Sequence, residues 1–103
     1  MNNFIVMLKK FFPDFFTEWD INEFPYLFIG DFVCYIEGKG DSIDMNNVNY
    51  ILNYFLTLQL DGKNKENIII VGFLEVLHDD ELLYQNLKTC ATNELKQLIE
   101  LYM

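Results

Sequence analysis

Apolar residues recur along most of the chain at the three- and four-residue spacing of an amphipathic helix. The clearest case is the segment 45–59, and the segments 4–12 and 92–102 show the same spacing. The apolar stripe of the segment 45–59 comprises Val48, Ile51, Leu52, Phe55 and Leu56. Asp44 precedes this stripe as a candidate N-cap, because its carboxylate can accept hydrogen bonds from the first free amides of a helix. These patterns predict helices in all three segments.

Two further apolar segments fit either a helix or a strand. Residues 26–37 repeat their apolar side chains on one helical face, but their aromatic and β-branched residues would also suit a buried strand. Residues 68–71 are a run of β-branched side chains inside the segment 67–78, which is apolar on nearly every side. The first segment is long for a strand, so we expect a helix there, with a strand as the alternative. A helix that is apolar on nearly every side is typical of the centre of a bundle, so we also expect a helix at residues 67–78, although residues 68–71 alone would suit a strand.

Turn-forming residues separate the apolar segments and leave only short connections between them. They lie at Pro13, at Gly38 and Gly40, at the pair Asp61-Gly62 and at His78-Asp79-Asp80. Helices joined by a few residues run antiparallel to their neighbours in the chain. We therefore predict one all-α domain over residues 1–103, with five or six short antiparallel helices in an irregular bundle or a stack of helical hairpins.

The charge of the chain is strongly one-sided. Sixteen acidic residues stand against seven basic ones, which gives a formal net charge of −9 at pH 7. Such a field repels nucleic acids and anionic membranes, because both are bound through clustered lysines and arginines. It favours a partner protein with a basic patch, while the plainer alternative is that the acids only keep an apolar chain soluble. The uncharged segment 45–60 is too short and too rich in asparagine to span a membrane.

The cysteine and histidine content is low and gives no metal-binding motif. Cys34 and Cys90 do not form a Cys-x-x-Cys pair, and His78 is the only histidine. This content argues against a disulfide framework and against a zinc site built on thiolates. Both cysteines have apolar neighbours, so we expect two buried, reduced thiols and a cytoplasmic location.

No residue pattern in the chain predicts catalysis or a bound ion. Counted from Asp41, the sixth and twelfth positions of a calcium-binding loop are Asn46 and Leu52, where that loop needs glycine and glutamate. Ser42 is the only serine and lacks the flanking glycines of a nucleophile elbow. A helix end followed by an acidic first turn explains residues 78–81. We therefore predict no enzyme activity, no cofactor and no metal, with a small carboxylate-using enzyme as the remote alternative.

Two short motifs give the chain a resemblance to a family of small bacterial all-helical proteins of unknown function. They are Gly30-Asp31-Phe32 and, in a later segment, Val71-Gly72-Phe73-Leu74-Glu75. Proteins of this kind resemble candidate immunity proteins for secreted bacterial toxins, and their fold looks like a short HEAT-like helical stack. The resemblance thus implies a protein that neutralises a toxin by binding it. The chain departs from the family at residues 45–60, because the third helix of the family carries carboxylates and this segment carries none.

An acidic and aromatic surface is the candidate binding site. Because alternate turns of an antiparallel stack fall at the same end, the acids before the 45–59 helix and those at 79–81 are expected to share one rim. Exposed tyrosines would supply the anchors that dominate interface energetics. The predicted partner-binding residues are Asp31, Glu37, Asp41, Asp44, Glu75, Asp79, Asp80, Glu81, Tyr35 and Tyr84, with Tyr50 and Tyr54 as further anchors. The leading hypothesis is a non-enzymatic module that binds a basic protein, with a toxin as the candidate partner, and the alternative is a structural module that forms a homodimer.

Overall fold

The structure is a computed structural model, and it describes residues 2–102. Its α-helices are α1 (Asn2–Phe11), α2 (Pro25–Lys39), α3 (Met45–Thr57), α4 (Lys65–Ile69), α5 (Glu75–Leu77), α6 (Glu81–Cys90) and α7 (Asn93–Tyr102). A 3₁₀ turn, Gly40–Ser42, follows α2, and a π-helical segment, Ile70–Leu74, joins α4 to α5, so that residues 65–77 form one continuous helix. No strand occurs within the described range. The all-α prediction is confirmed, including the helical interpretation of residues 26–37 and 68–71.

Side-chain caps begin three of the helices. The carboxylate of Asp44 accepts a hydrogen bond of 2.9 Å from the amide of Asn46 at the start of α3, as the sequence predicts. Asn64 caps the 65–77 helix in the same way, and Asp80 caps α6 by accepting a hydrogen bond of 3.2 Å from the amide of Leu83. Because these oxygens replace the missing helical acceptors, polar residues fix where each helix begins.

One apolar core joins the helices. α3 packs against α1, α6 and α7, whereas α2 lies along the 65–77 helix. The ring of Phe4 in α1 links the two halves, because its centroid lies 6.5 Å from that of Phe28 in α2 and 6.1 Å from that of Phe55 in α3. The buried side chains of all these helices form a single cluster, so the molecule is an irregular helical bundle.

The helices α2 and 65–77 run parallel to each other. Near their starts, the side-chain amide of Asn67 donates a hydrogen bond to the hydroxyl of Tyr26. Halfway along, the ring centroids of Phe32 and Phe73 lie 5.8 Å apart. Both helices therefore end at the same end of the molecule, and the turns that follow them lie side by side.

Gly72 lies in the contact between α2 and the π-helical segment. A Cβ atom at this position would lie 3.3 Å from Cγ2 of Ile29 and 3.9 Å from Cδ1 of Tyr26. Glycine inside a helix lowers stability by about 1 kcal/mol relative to alanine, because it leaves the unfolded backbone more freedom. A methyl group here would displace the Ile29 side chain by a few tenths of an ångström, which works against the stability that alanine would otherwise add.

Side chains from α3 cap the start of α7. The amide oxygen of Asn53 accepts a hydrogen bond of 3.0 Å from the backbone amide of Leu95, and that of Asn49 accepts one of 3.1 Å from the amide of Thr92. Asn93 opens α7 with a positive φ of 53°, a conformation that asparagine adopts more readily than most residues. Asn49 and Asn53 of the uncharged helix α3 thus have a structural task, which is to hold α7 in place.

The structure corrects two expectations from the sequence, that Phe15, Phe16 and Trp19 pack as one cluster in the core and that both cysteines are buried. Phe15 is buried between Phe28 and Phe32, but Phe16 is 83% exposed, because residues 15–17 are not helical and the two neighbouring side chains face opposite ways. Cys34 is also exposed, because it lies outside the buried stripe of α2. Cys90 is only partly buried. The prediction that both thiols are buried is therefore wrong.

Candidate functional site

Carboxylates gather at the end of the molecule where α2 and the 65–77 helix both finish. Glu37 lies in the last turn of α2, close enough to Asp79 and Asp80 for their charges to act on its ionisation. The turn after α2 adds Asp41 and Asp44, and the first turn of α6 adds Glu81. We call this group the acidic end, and it consists of Glu37, Asp41, Asp44, Asp79, Asp80 and Glu81.

The acidic end has little internal charge compensation. Partial burial and then the negative charges of Asp80 and Asp79 raise the pKa of Glu37 above its ordinary value. Within residues 2–102 the one ion pair joins Lys39 to Asp14, so no lysine neutralises these three carboxylates. Like charges held together destabilise the free protein, and a cationic group placed among them would recover that free energy.

Replacing Glu37 with glutamine should stabilise the isolated protein at neutral pH. The raised pKa means that the charged form is disfavoured in the folded state, so wild-type stability falls as pH rises through the folded-state pKa of Glu37. The gain in stability from Glu37→Gln should vanish below about pH 4, where Glu37 of the wild type is protonated in both the folded and the unfolded state. Urea unfolding at the two pH values measures it. Glu18→Gln, which removes an exposed charge elsewhere, is the control, and an equal gain in both variants would contradict the local effect.

Leu82 and His78 are surface groups beside the acids that sequence reasoning missed. Leu82 is 60% exposed although it is apolar, and it directly follows Glu81 in the first turn of α6. His78 is exposed between the end of α5 and the cap of α6. The signal for Leu82 was available, because it falls outside the stripe formed by Leu83 and Leu87. Together they add an apolar and an aromatic contact to the acidic end.

Tyr84 was predicted as an exposed anchor, and this prediction is wrong. Its side chain is only 4% exposed, because α6 buries Leu83, Tyr84 and Leu87 on one face. The ring packs edge-on against that of His78, with the centroids 5.0 Å apart. Burial raises the pKa of the Tyr84 hydroxyl above its ordinary value. Tyr84 therefore packs against the imidazole of His78, and its own side chain is too buried to contact a partner.

Tyr35 and Asp31 attach the segment 13–17 to α2. The hydroxyl of Tyr35 donates a hydrogen bond to Asp14, and burial followed by this bond raises the pKa of Tyr35 to about 12. The ammonium group of Lys39 pairs with the same carboxylate and lies 5.6 Å from the centre of the Tyr35 ring. Asp31 accepts a hydrogen bond of 2.6 Å from the hydroxyl of Thr17. Both predicted binding residues thus have structural partners within the chain.

The remaining predicted residues are distributed unevenly. Glu75 is exposed at the start of α5, one turn before the acidic end. Tyr50 is exposed on α3 and Tyr54 is partly buried beside it, with ring centroids 6.2 Å apart. These two tyrosines lie over an uncharged part of the surface, so the structure separates them from the acids that the sequence grouped with them.

Residues 2–102 offer no arrangement typical of a catalytic metal centre. No group of three or more histidine, cysteine, aspartate and glutamate side chains in this range is placed to hold a metal ion. Within the same range, no helix combines the length and the apolar content that crossing a membrane requires. What the acidic end can supply chemically is a concentrated negative potential with two exposed contact side chains beside it.

Comparison with protein-family models, with curated protein sequences and with solved structures gives no match to this chain.

Proposed function

We propose that this chain is a non-enzymatic binding module that docks a basic patch of another protein on its acidic end. The observation that carries the proposal is the placement of Glu37 beside Asp79 and Asp80 with no lysine paired to them in residues 2–102. This arrangement is unfavourable in the free protein and becomes favourable when a partner contributes cations. The net charge of −9 attracts the same class of partner over longer distances.

Affinity would come from the contact groups beside the charges. Charge complementarity mainly accelerates association and selects the partner, whereas buried anchors slow dissociation. In this proposal Leu82 and the ring of His78 are the side chains that anchor the partner, in place of Tyr84, which was expected from the sequence. The proposed complex would therefore place an apolar side chain of the partner against Leu82, with lysines or arginines around it.

A toxin is the candidate partner, and the chain would act as its immunity protein in the cytoplasm. The resemblance of the Gly30-Asp31-Phe32 and Val71-Gly72-Phe73 motifs to such proteins supports this more specific proposal. The two free cysteines, one of them exposed, are typical of a compartment that keeps thiols reduced. An immunity protein needs rapid association, which long-range attraction between opposite charges provides.

The combined substitution Asp79→Asn, Asp80→Asn and Glu81→Gln tests the binding face. Asparagine retains the cap of α6, so the fold is preserved while three charges are removed. With the protein encoded beside this chain's gene as the partner, the association rate constant should fall about tenfold or more at low salt. Its dependence on salt should become weaker, because fewer charge pairs remain to be screened. Biolayer interferometry across salt concentrations measures both.

A charge-matched variant provides the control. Glu18→Gln, Glu66→Gln and Glu100→Gln remove three exposed charges outside the acidic end and change the net charge by the same amount. This variant should keep most of the association rate, since only the long-range field is reduced. Equal rates for the two triple variants, or an unchanged rate for the acidic-end variant, would show that the partner binds elsewhere.

A further inference from the structure

An uncharged depression lies on the surface of α3, beside the turn that leads into α7. Its volume is about 530 Å³, and no acidic or basic side chain lines it. The lining consists of four asparagines, two tyrosines and two threonines, namely Asn46, Asn49, Asn53, Asn93, Tyr50, Tyr54, Thr57 and Thr92. In a chain with 22% charged residues, a concave surface of this composition differs sharply from the rest.

Hydrogen bonds within the protein hold two of the residues that line the depression, Asn49 and Asn53. Asn49 and Asn53 use their amide groups within the protein, bonding to the backbone of residues 92–95. The amide nitrogen of Asn53 also donates hydrogen bonds to Asn49, at 3.2 Å to its carbonyl oxygen and 3.0 Å to its side-chain oxygen. These bonds lock the two side chains in place, so the depression is formed before any ligand arrives.

The rim presents polar groups that are not engaged elsewhere. The side-chain amides of Asn46 and Asn93 and the hydroxyls of Tyr50 and Tyr54 make no hydrogen bond to any part of residues 3–102. Each amide both donates and accepts, and so does each hydroxyl. Four neutral groups of this kind around one depression suit a ligand that is itself rich in donors and acceptors and carries no charge.

Aromatic rings form one wall of the depression and are held in position. Tyr50 is 46% exposed, and its ring packs edge-to-face against Phe11, with the centroids 5.3 Å apart. Tyr54 packs in the same manner against Phe4, with the centroids 5.5 Å apart. Such contacts fix the rings without covering them, because edge-to-face packing leaves part of each tyrosine exposed.

We propose that this depression binds a neutral, hydroxyl-rich ligand of the saccharide class. Sugar hydroxyls would pair with the amides of Asn46 and Asn93, and the apolar face of a sugar ring would pack against Tyr50. The lining offers no cation to an anionic ligand, and the net charge of −9 repels one. A cationic ligand would find stronger attraction at the acidic end. The depression adjoins the acidic end at Asp44, but the saccharide proposal does not depend on the proposed protein-binding function.

Titration of ¹⁵N-labelled protein with three neutral sugars tests this site. The probes are maltotriose, cellotriose and N,N′-diacetylchitobiose, followed by backbone amide shifts. At least one of them should give saturable shifts centred on Asn46, Tyr50 and Asn93. Glucuronic acid, which carries a carboxylate, should give none. If none of the neutral sugars produces saturable shifts, or if the shifts lie elsewhere, the saccharide site is rejected.

Replacing the exposed ring of Tyr50 distinguishes binding of a sugar in the depression from nonspecific binding elsewhere on the protein. Tyr50→Ala should weaken binding by about tenfold, which is the loss expected for one aromatic stacking contact. Tyr26→Ala removes a tyrosine of similar exposure on α2, outside the depression, and should leave the affinity unchanged. Circular dichroism establishes that both variants fold. Equal affinity in the two variants would overturn the assignment of Tyr50 to the site.

Discussion

Replacing Phe32 with alanine is expected to lower the free energy of unfolding by about 3–5 kcal/mol, the usual loss for a buried phenylalanine. Phe32 is 1% exposed, and its ring centroid lies 5.3 Å from that of Phe12 and 5.8 Å from that of Phe73. The side chain thus joins α2, the 12–15 turn and the π-helical segment, so the cavity left behind would open among three parts of the chain. The total free energy of unfolding of a small domain is only about 5–15 kcal/mol. The variant should therefore unfold at a much lower urea concentration than the wild type.

Phe16→Ala is the matched control for this prediction. It makes the same chemical change only sixteen positions earlier, at a side chain that is 83% exposed. Its effect should stay within about 0.5 kcal/mol, because no cavity forms. Urea unfolding followed by circular dichroism compares the two. If Phe16→Ala destabilises the protein as strongly as Phe32→Ala, the packing described around α2 is wrong.

The helices could be predicted because their signals are local. The spacing of Val48, Ile51 and Phe55 and the cap at Asp44 lie within a few turns of one another, and the structure has both as expected. The acidic first turn expected within residues 78–81 follows from the same kind of signal, and α6 begins at Glu81. Capping and amphipathic spacing depend on neighbouring residues alone, so they can be recognised without knowing the rest of the fold.

Exposure of individual side chains could not be predicted with the same success. Whether Tyr84 faces solvent depends on how α6 is rotated against its neighbours, and that rotation is set by distant residues. Cys34 has apolar neighbours in sequence, yet a helix turns about 100° per residue and places it outside the stripe that contains Val33. The positions of most predicted acids at helix ends followed from local signals, their role in binding stays a prediction, and the exposure expected for Tyr84 was wrong.

The asparagines of α3 show a second limit of sequence reasoning. In the sequence, Asn49 and Asn53 serve only as evidence against a membrane-spanning segment at residues 45–60. The structure gives Asn49 and Asn53 a role that depends on residues 92–95, some forty positions later in the chain. Nothing local marks them as capping residues for another helix, because a cap is normally found next to the helix that it serves.

Asn53→Ala should lower the free energy of unfolding by about 1–3 kcal/mol, although the side chain is polar and only partly buried. The change removes the acceptor of the Leu95 amide, at 3.0 Å, and the donor to the carbonyl of Thr92, at 3.1 Å. Amide hydrogen exchange in the first turn of α7 should accelerate, since that turn loses its external cap.

Two further variants separate the capping bond from other effects of the substitution. Asn46→Ala changes an asparagine of the same helix whose side chain makes no hydrogen bond within residues 3–102, and it should alter stability by no more than about 0.5 kcal/mol. Asn53→Asp keeps an oxygen for the Leu95 amide and places a negative charge at a helix start, where it is favourable. It should therefore fall between wild type and Asn53→Ala. Equal stability of Asn53→Ala and Asn46→Ala would mean that α7 is held by its apolar face alone, through Leu95, Leu98 and Ile99.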